Sequence, residues 1–296
     1  MSTLRVRVPA TTANLGSGFD CVGVALDFHD DLELVLTDDP STLDITVEGQ
    51  GAQDVPLDDT HLVVSSLLEG LREWGGERPG MMLRCVNRIP HSRGLGSSAS
   101  AIVAGLAFAW GISRPGQELD RAELTRVSSL MEGHPDNAGA AVWGGAVLGW
   151  FEGSDVALVQ LSVPDTIGAR IWVPQFEVKT AGARSVLPEM VPRADAVAQA
   201  MAAAALPLAL ERRHDLLLAA TADRLHQSYR AELMQSSFNL MTDLRAVGVP
   251  ATISGAGPTV IAFGTSDQLA PGDVVAAEGF ERHALKIGPG VELTQA

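Results

Sequence analysis

The sequence predicts an α+β protein in two parts, residues 1–155 and 156–296, joined at a soft boundary. Three observations predict it. The first ninety residues carry mainly strand-period patterns, two helical segments follow between Ser97 and Gly133, and beyond Pro164 strand and helix patterns alternate. With 296 residues and 46% hydrophobic content, the chain is long enough to bury the core that such an arrangement needs.

Leu4, Val6 and Val8 alternate with Arg5 and Arg7, the pattern of a half-buried strand and not of a basic flank followed by an apolar signal core. Residues 31–37 and 43–47 are further strands, whereas 61–74 has helical spacing that stops at Gly75-Gly76. Met81, Leu83, Cys85 and Ile89 then recur at strand period up to Pro90. From 97 to 110 the residues are small and apolar on every side, which predicts a helix buried all round. Asp120 and Glu123 have the spacing of a capping box, opening a helix with Leu124, Val127 and Leu130 on its apolar face and Gly133 at its end. Gly144-Gly145 turns into a strand at 146–151. In the second part, strands are expected at 167–173, 251–253 and 259–263, and helices at 194–210 and 231–247.

A net charge of −15 provides no basic stripe for nucleic acid or anionic membrane. No uninterrupted apolar run reaches the roughly 18 residues of a membrane span, and the Ala/Gly-rich run at 138–151 stops short of it. A cytoplasmic protein is therefore expected. Cys21 and Cys85 lie far apart and form no CxxC pair, so neither a disulfide framework nor a zinc knuckle is predicted.

The most informative stretch is Pro90, His91, Ser92, Arg93, Gly94, Leu95, Gly96, Ser97, Ser98, Ala99 and Ser100, between a predicted strand and the buried helix. Its glycines allow a tight turn and close backbone approach, and the free amides of the helix start favour phosphate. Ser97 and Ser98 can cap the helix, or one of them can offer its hydroxyl to a metal. Two other readings stay open. Gly94-x-Gly96-x-x-Ala99, with Glu118 or Asp120 about twenty residues on, also satisfies a dinucleotide fingerprint, which would open a βαβ unit. The loop could equally be a plain turn capped by Ser98. A Walker A sequence is absent.

Glu132 falls at a helix C-terminus, where the dipole disfavours negative charge and a Mg²⁺ ion would relieve it. Gly133-His134-Pro135-Asp136-Asn137 follows as a polar turn wedged between an amphipathic helix and an Ala/Gly segment. A lone histidine is usually structural, but His, Asp and Asn together beside that carboxylate point to a site.

Residues 90–100 resemble the PxxxGLGSS signature of the GHMP kinases. Two further motifs support the resemblance: Pro9-Ala10-Thr11-Thr12-Ala13-Asn14-Leu15-Gly16-Ser17-Gly18-Phe19-Asp20 and Ile253-Ser254-Gly255-Ala256-Gly257-Pro258-Thr259. The first of these, with Glu132-Gly133-His134-Pro135-Asp136-Asn137, is similar to motifs of the homoserine-phosphorylating members. Thr180-Ala181-Gly182-Ala183-Arg184 and His226-Gln227-x-x-Arg230 look like their substrate-arginine segments.

The resemblance implies an N-terminal α+β domain, a C-terminal ferredoxin-like domain and a cleft between them. It implies ATP and Mg²⁺ as cofactors, L-homoserine as the small-molecule substrate and a possible homodimer. Residues 90–100 would hold the triphosphate, with Ser98 and Glu132 on the metal. Asn14, Asp20, His134, Asn137, Thr180, Arg184 and Arg230 would bind the amino acid. Asn14, Asp20, Asp136 and Arg184 would take part in catalysis, with Asp20 and Asp136 as candidate bases. His61, in His61-Leu62-Val63, stands beside the adenine pocket where the family commonly has Asn. The alternatives are a mevalonate or diphosphocytidyl-methylerythritol kinase, a nicotinamide-dependent oxidoreductase, and a GHMP-fold binding protein without catalysis.

Overall fold

A computed structural model describes residues 2–178 and 180–295. The first part opens with β1 (Thr3–Asn14), β2 (Gly18–Thr37), β3 (Leu43–Gly49), α1 (Leu62–Trp74) and β4 (Gly80–Asn87), followed by α2 (Ser97–Ser113), α3 (Arg121–Glu132), α4 (Pro135–Trp143), β5 (Ala146–Glu152) and β6 (Asp155–Leu161). The second part holds β7 (Gly168–Pro174), α5 (Thr180–Ser185), α6 (Arg193–Glu211), α7 (Leu217–Ala220), α8 (Gln227–Arg230) and α9 (Gln235–Ala246). It ends with β8 (Ala251–Ile253), β9 (Val260–Gly264), α10 (Ser266–Leu269), β10 (Phe280–Lys286) and β11 (Glu292–Gln295).

Two sheets result. The larger runs β11-β1-β2-β4-β3, with β5 on the early part of β2 and β6 beyond it. The smaller is antiparallel in the order β10-β7-β9-β8. Numbered by their own sequence, those four strands run 4-1-3-2, the order of a ferredoxin-like sheet. Helices cover one face of the large sheet: α1 turns Val63, Val64, Leu67, Leu71 and Trp74 inward, and α2 buries every residue from Ala99 to Gly111 except Ala101. Small side chains let α2 be enclosed so fully, because its neighbours approach its backbone from all directions.

The expected elements are found, with informative exceptions. Pro135 begins α4 instead of belonging to a turn: His134 is extended and the fixed φ of Pro135 suits the first helical position. The early half of β2 did not show in the sequence because residues 22–26 are buried on both faces, which erases the alternation. Only half of the capping box forms. Asp120 accepts from the Glu123 amide, but the Glu123 carboxylate is taken by Arg126 and Trp74. The expected helix at 231–247 begins with a 3₁₀ turn, Ala231–Met234, before α9.

By length and composition α6 is apolar enough to cross a membrane. Asp195 and Gln199 punctuate this otherwise Ala-rich helix, so no uninterrupted apolar run in it reaches the length of a span. In the fold it packs inward through Gln199, Leu206, Ala209 and Leu210.

Position 155 does not separate the two sheets. Strand β6 runs from Asp155 across the boundary and pairs with β5, and β11 returns from far along the chain to pair with β1. One core cluster also joins Ala10, Leu15 and Val24 to Ile171, Leu206 and Phe263.

Candidate active site

The glycine-rich loop connects β4 to α2 and lies between the end of β1 and the Ser254–Gly257 turn. Gly94 and Gly96 both have left-handed φ values, 74° and 68°. A Cβ at Gly94 would strike the Ser254 carbonyl, and one at Gly96 would strike Thr11. The loop therefore requires glycine at both places for its conformation and for its neighbours. The Ser254 hydroxyl fastens it by bonding the Gly94 carbonyl and the Thr12 hydroxyl. Gly96 is the N-cap of α2 and no side chain caps that end, so the amides of Ser97, Ser98 and Ala99 have no intrahelical acceptor. They form an anion-binding mouth.

Glu132 ends α3 across from this mouth, where its Oε1 accepts a 2.7 Å hydrogen bond from the Ser98 hydroxyl. Burial raises its pKa, against the opposing effects of Ser98 and His134. Helix C-terminus and low dielectric thus act together against its charge, which a cation would restore. Beyond Gly133, the His134 Nδ1 lies 2.8 Å from Asp136 Oδ1, and this contact raises the histidine pKa. The same oxygen accepts the Asn137 amide at 2.6 Å, while Asn137 Oδ1 accepts from the Thr11 hydroxyl at 2.8 Å. Asp136 is 1% exposed, so its carboxylate anchors the start of α4.

On the opposite wall, Asn14 donates to the Gly255 carbonyl at 2.8 Å and accepts the Asp20 amide at 2.9 Å. Arg184 on α5 forms a two-pronged ion pair with Asp20 at 2.8 and 3.1 Å. Arg230, at the end of α8, is 2% exposed and donates through Nε to the Ala183 carbonyl at 2.9 Å. Among the described residues, four that are not glycine have positive φ: Asn14, Leu15, Asp20 and Ser92. All four belong to the motifs read from the sequence, and strained backbone of this kind costs about 1–3 kcal/mol per residue.

A cleft of about 470 Å³ gathers Asn14, Asp20, Ser92, Gly94, Gly96, Ser97, Ser98, Ala99, Glu132, His134, Asp136, Asn137, Arg184 and Arg230. A second cavity of about 280 Å³ contains His61 and His91 and shares Leu62, Ser92, Ser97 and Ser98 with the first. Four residues of the loop are placed elsewhere. Leu95 is in the core, Ser100 bonds the Pro9 and Gly96 carbonyls, and Pro90 and Arg93 border a different groove. The Arg93 guanidinium is occupied by the carbonyls of His91, Pro174 and Gln175 and by Glu177, so it braces the two sheets. The side chain of Thr180 lies outside the described residues. Gly255, Ala256, Ile102 and Met131 also line the cleft and were not singled out as site residues. The glycine-rich Ser254–Thr259 motif signalled the first two, whereas the others bear no local sign of a site.

The chain between α2 and β5 consists of two more helices, and β5 pairs antiparallel with β2. No βαβ unit opens at the glycine loop, which removes the dinucleotide reading. The fold is that of the GHMP kinases, and the family described as GHMP kinases N terminal domain matches residues 61–145. A solved mevalonate kinase from L. major shares the fold, with a TM-score of 0.68 and 15% identity over 96% of this chain and 95% of that one. Homoserine kinase from Cytophaga hutchinsonii superposes with a TM-score of 0.82 and 27% identity, covering 99% of this chain and 98% of the other. The homoserine kinase of Cutibacterium acnes is 50% identical over 98% of each chain. That of Streptomyces avermitilis is 44% identical over 97% of this chain and 93% of its own. The chain belongs to the homoserine kinase family.

Proposed function

We propose that the cleft transfers the γ-phosphoryl group of ATP to the side-chain hydroxyl of L-homoserine, giving O-phospho-L-homoserine and ADP. The observation that carries this reading is the pairing of two unlike ends in one cleft. At one end the uncapped amides of α2 face the Ser98–Glu132 pair; at the other stand Asp20, Arg184 and Arg230.

The first end suits a triphosphate. Amides of Ser97, Ser98 and Ala99 would bind phosphate oxygens, and the cavity containing His61 and His91 would receive the base. A hydroxyl beside a carboxylate whose charge is disfavoured fits a hard cation, so Ser98 and Glu132 would hold Mg²⁺. Among the described residues no three His, Cys, Asp or Glu side chains cluster to bind a metal, and nucleotide phosphates would complete the coordination. Bound there, Mg²⁺ neutralises charge on the phosphate oxygens.

The second end suits a zwitterion. Arg184 and Arg230 would take the α-carboxylate through charge-assisted bonds, Asp20 the α-ammonium, and Asn14, His134 and Asn137 would orient the rest. Phosphoryl transfer has a loose transition state, so placing the hydroxyl in line matters more than a strong base. Asp136, pinned by His134 and the Asn137 amide, serves as an anchor. Asp20 can take the departing proton.

The test is ADP release from ATP with a panel of small alcohols that includes homoserine, mevalonate and diphosphocytidyl-methylerythritol, with and without Mg²⁺. Homoserine should be turned over by a wide margin and only with the metal. Glu132→Gln should lower kcat by about a hundredfold or more while thermal unfolding stays unchanged. Unaltered turnover in that variant would refute the metal role.

A further inference from the structure

One buried side chain beside the amino-acid end of the cleft is not used by the reaction as proposed. His226 is completely buried, immediately before α8. Its Nε2 lies 2.9 Å from the Gly16 carbonyl oxygen, and its Nδ1 lies 3.2 Å from Nη1 of Arg230. A carbonyl only accepts and a guanidinium only donates, so one state of the ring satisfies both contacts: neutral, with its proton on Nε2. Burial favours that neutral state. Phe19 stacks on the imidazole with centroids 4.8 Å apart, and the Arg230 Cζ lies 5.5 Å from the Phe19 centroid. Asp223 sets the backbone beneath the ring by accepting the amides of Leu225, His226 and Gln227. Its Oδ1 is 3.5 Å from Nε2, too far to compete with Gly16.

We infer that His226 is a positioning residue, which locks the Arg230 guanidinium to the Asn14–Asp20 turn so that the arginine meets the substrate carboxylate in one orientation. The inference rests on the proposed role of Arg230 and adds how that role is enforced. Nε is held by Ala183, and Nη1 by His226 and, at 3.4 Å, by Gly255. None of these bonds uses Nη2. Through Gly16 the same imidazole grips the turn that carries Asn14 and Asp20, so the two groups expected to bind the carboxylate and the ammonium are indexed to one ring.

The experiment compares His226→Asn, His226→Gln and His226→Phe in the full chain. Asn places an acceptor near the position of Nδ1, Gln a donor near that of Nε2, and Phe keeps only the stacking. Gln and Phe should raise the KM for homoserine about tenfold, the effect of losing one hydrogen bond to a charged group. The KM for ATP should move less than about twofold, and Asn should recover most of the loss. In an Arg230→Gln background, His226→Phe should add little, because the two residues act in series.

Equal rises in both KM values, an Asn variant no better than Phe, or additive losses in the double variant would each overturn the inference and leave His226 as core packing. Should Phe fail to fold, the Asn and Gln pair still decides between these outcomes. Absence of homoserine turnover in the parent enzyme would reject the functional reading itself and the inference with it; normal parent turnover without the KM split would reject the inference alone.

Discussion

Asp30 shows how one residue can act against the stability of its own fold. It is 6% exposed, and its Oδ1 accepts the amides of Arg88 and Ile89 at 2.5 and 2.9 Å. Those bonds favour the anion, but burial outweighs them and pushes the pKa from 3.8 to about 6. Between these values the folded chain keeps a proton that the unfolded chain has lost, so stability falls as pH rises through that window. Asp30→Asn keeps an acceptor for both amides and removes the titration. The variant should match its parent near pH 4 and exceed it at pH 8 by on the order of 1–3 kcal/mol, measured by urea unfolding across pH. A variant weaker than its parent at pH 8 would contradict the assignment. The sequence placed Asp30 just before an expected strand and showed nothing of its burial, which arises from the 88–89 backbone packing over it.

At the scale of elements, the phosphate-facing end of α2 depends on Gly96. Alanine there must adopt a left-handed φ, at about 1–2 kcal/mol, and must also displace Thr11. Gly96→Ala should therefore lower the melting temperature and raise the KM for ATP at least tenfold, roughly the equivalent of one bond to the loop. Calorimetry and initial rates check the two effects separately. This element was legible because Gly94, Gly96 and the small residues of α2 advertise tight approach in their composition. The positive φ of Asn14, Leu15 and Asp20 was not, since the partners of their turn, Arg184, Ala220, His226 and Gly255, lie far away in sequence. Helix α4 was hidden for a different reason: proline normally reads as a stop, and only the N-cap position turns it into a start.

For the whole molecule, the motifs foretold one cleft, and most of the candidate site residues line two adjoining cavities. Patterns read along the chain could not foretell that a core cluster spans both sheets, because periodicity reveals which face is buried but not what buries it. The shared core predicts that the two parts unfold together. Far-ultraviolet dichroism and tryptophan fluorescence should give coincident thermal transitions, and two separate transitions would show that the sheets are independent. Homoserine at about 100 times its Kd should stabilise the folded state by about 2.7 kcal/mol, because only the assembled cleft can bind it.

Strand β11 pairs Leu4 with Gln295 along the outer side of β1. Protein synthesis makes those two residues far apart in time, so the nascent polypeptide carries an open strand flank until β11 has emerged. An open flank invites mispairing with other chains. Within the larger sheet β11 is thus the last strand delivered, and deleting Glu292–Gln295 would leave the folded enzyme in the exposed condition of its own unfinished precursor.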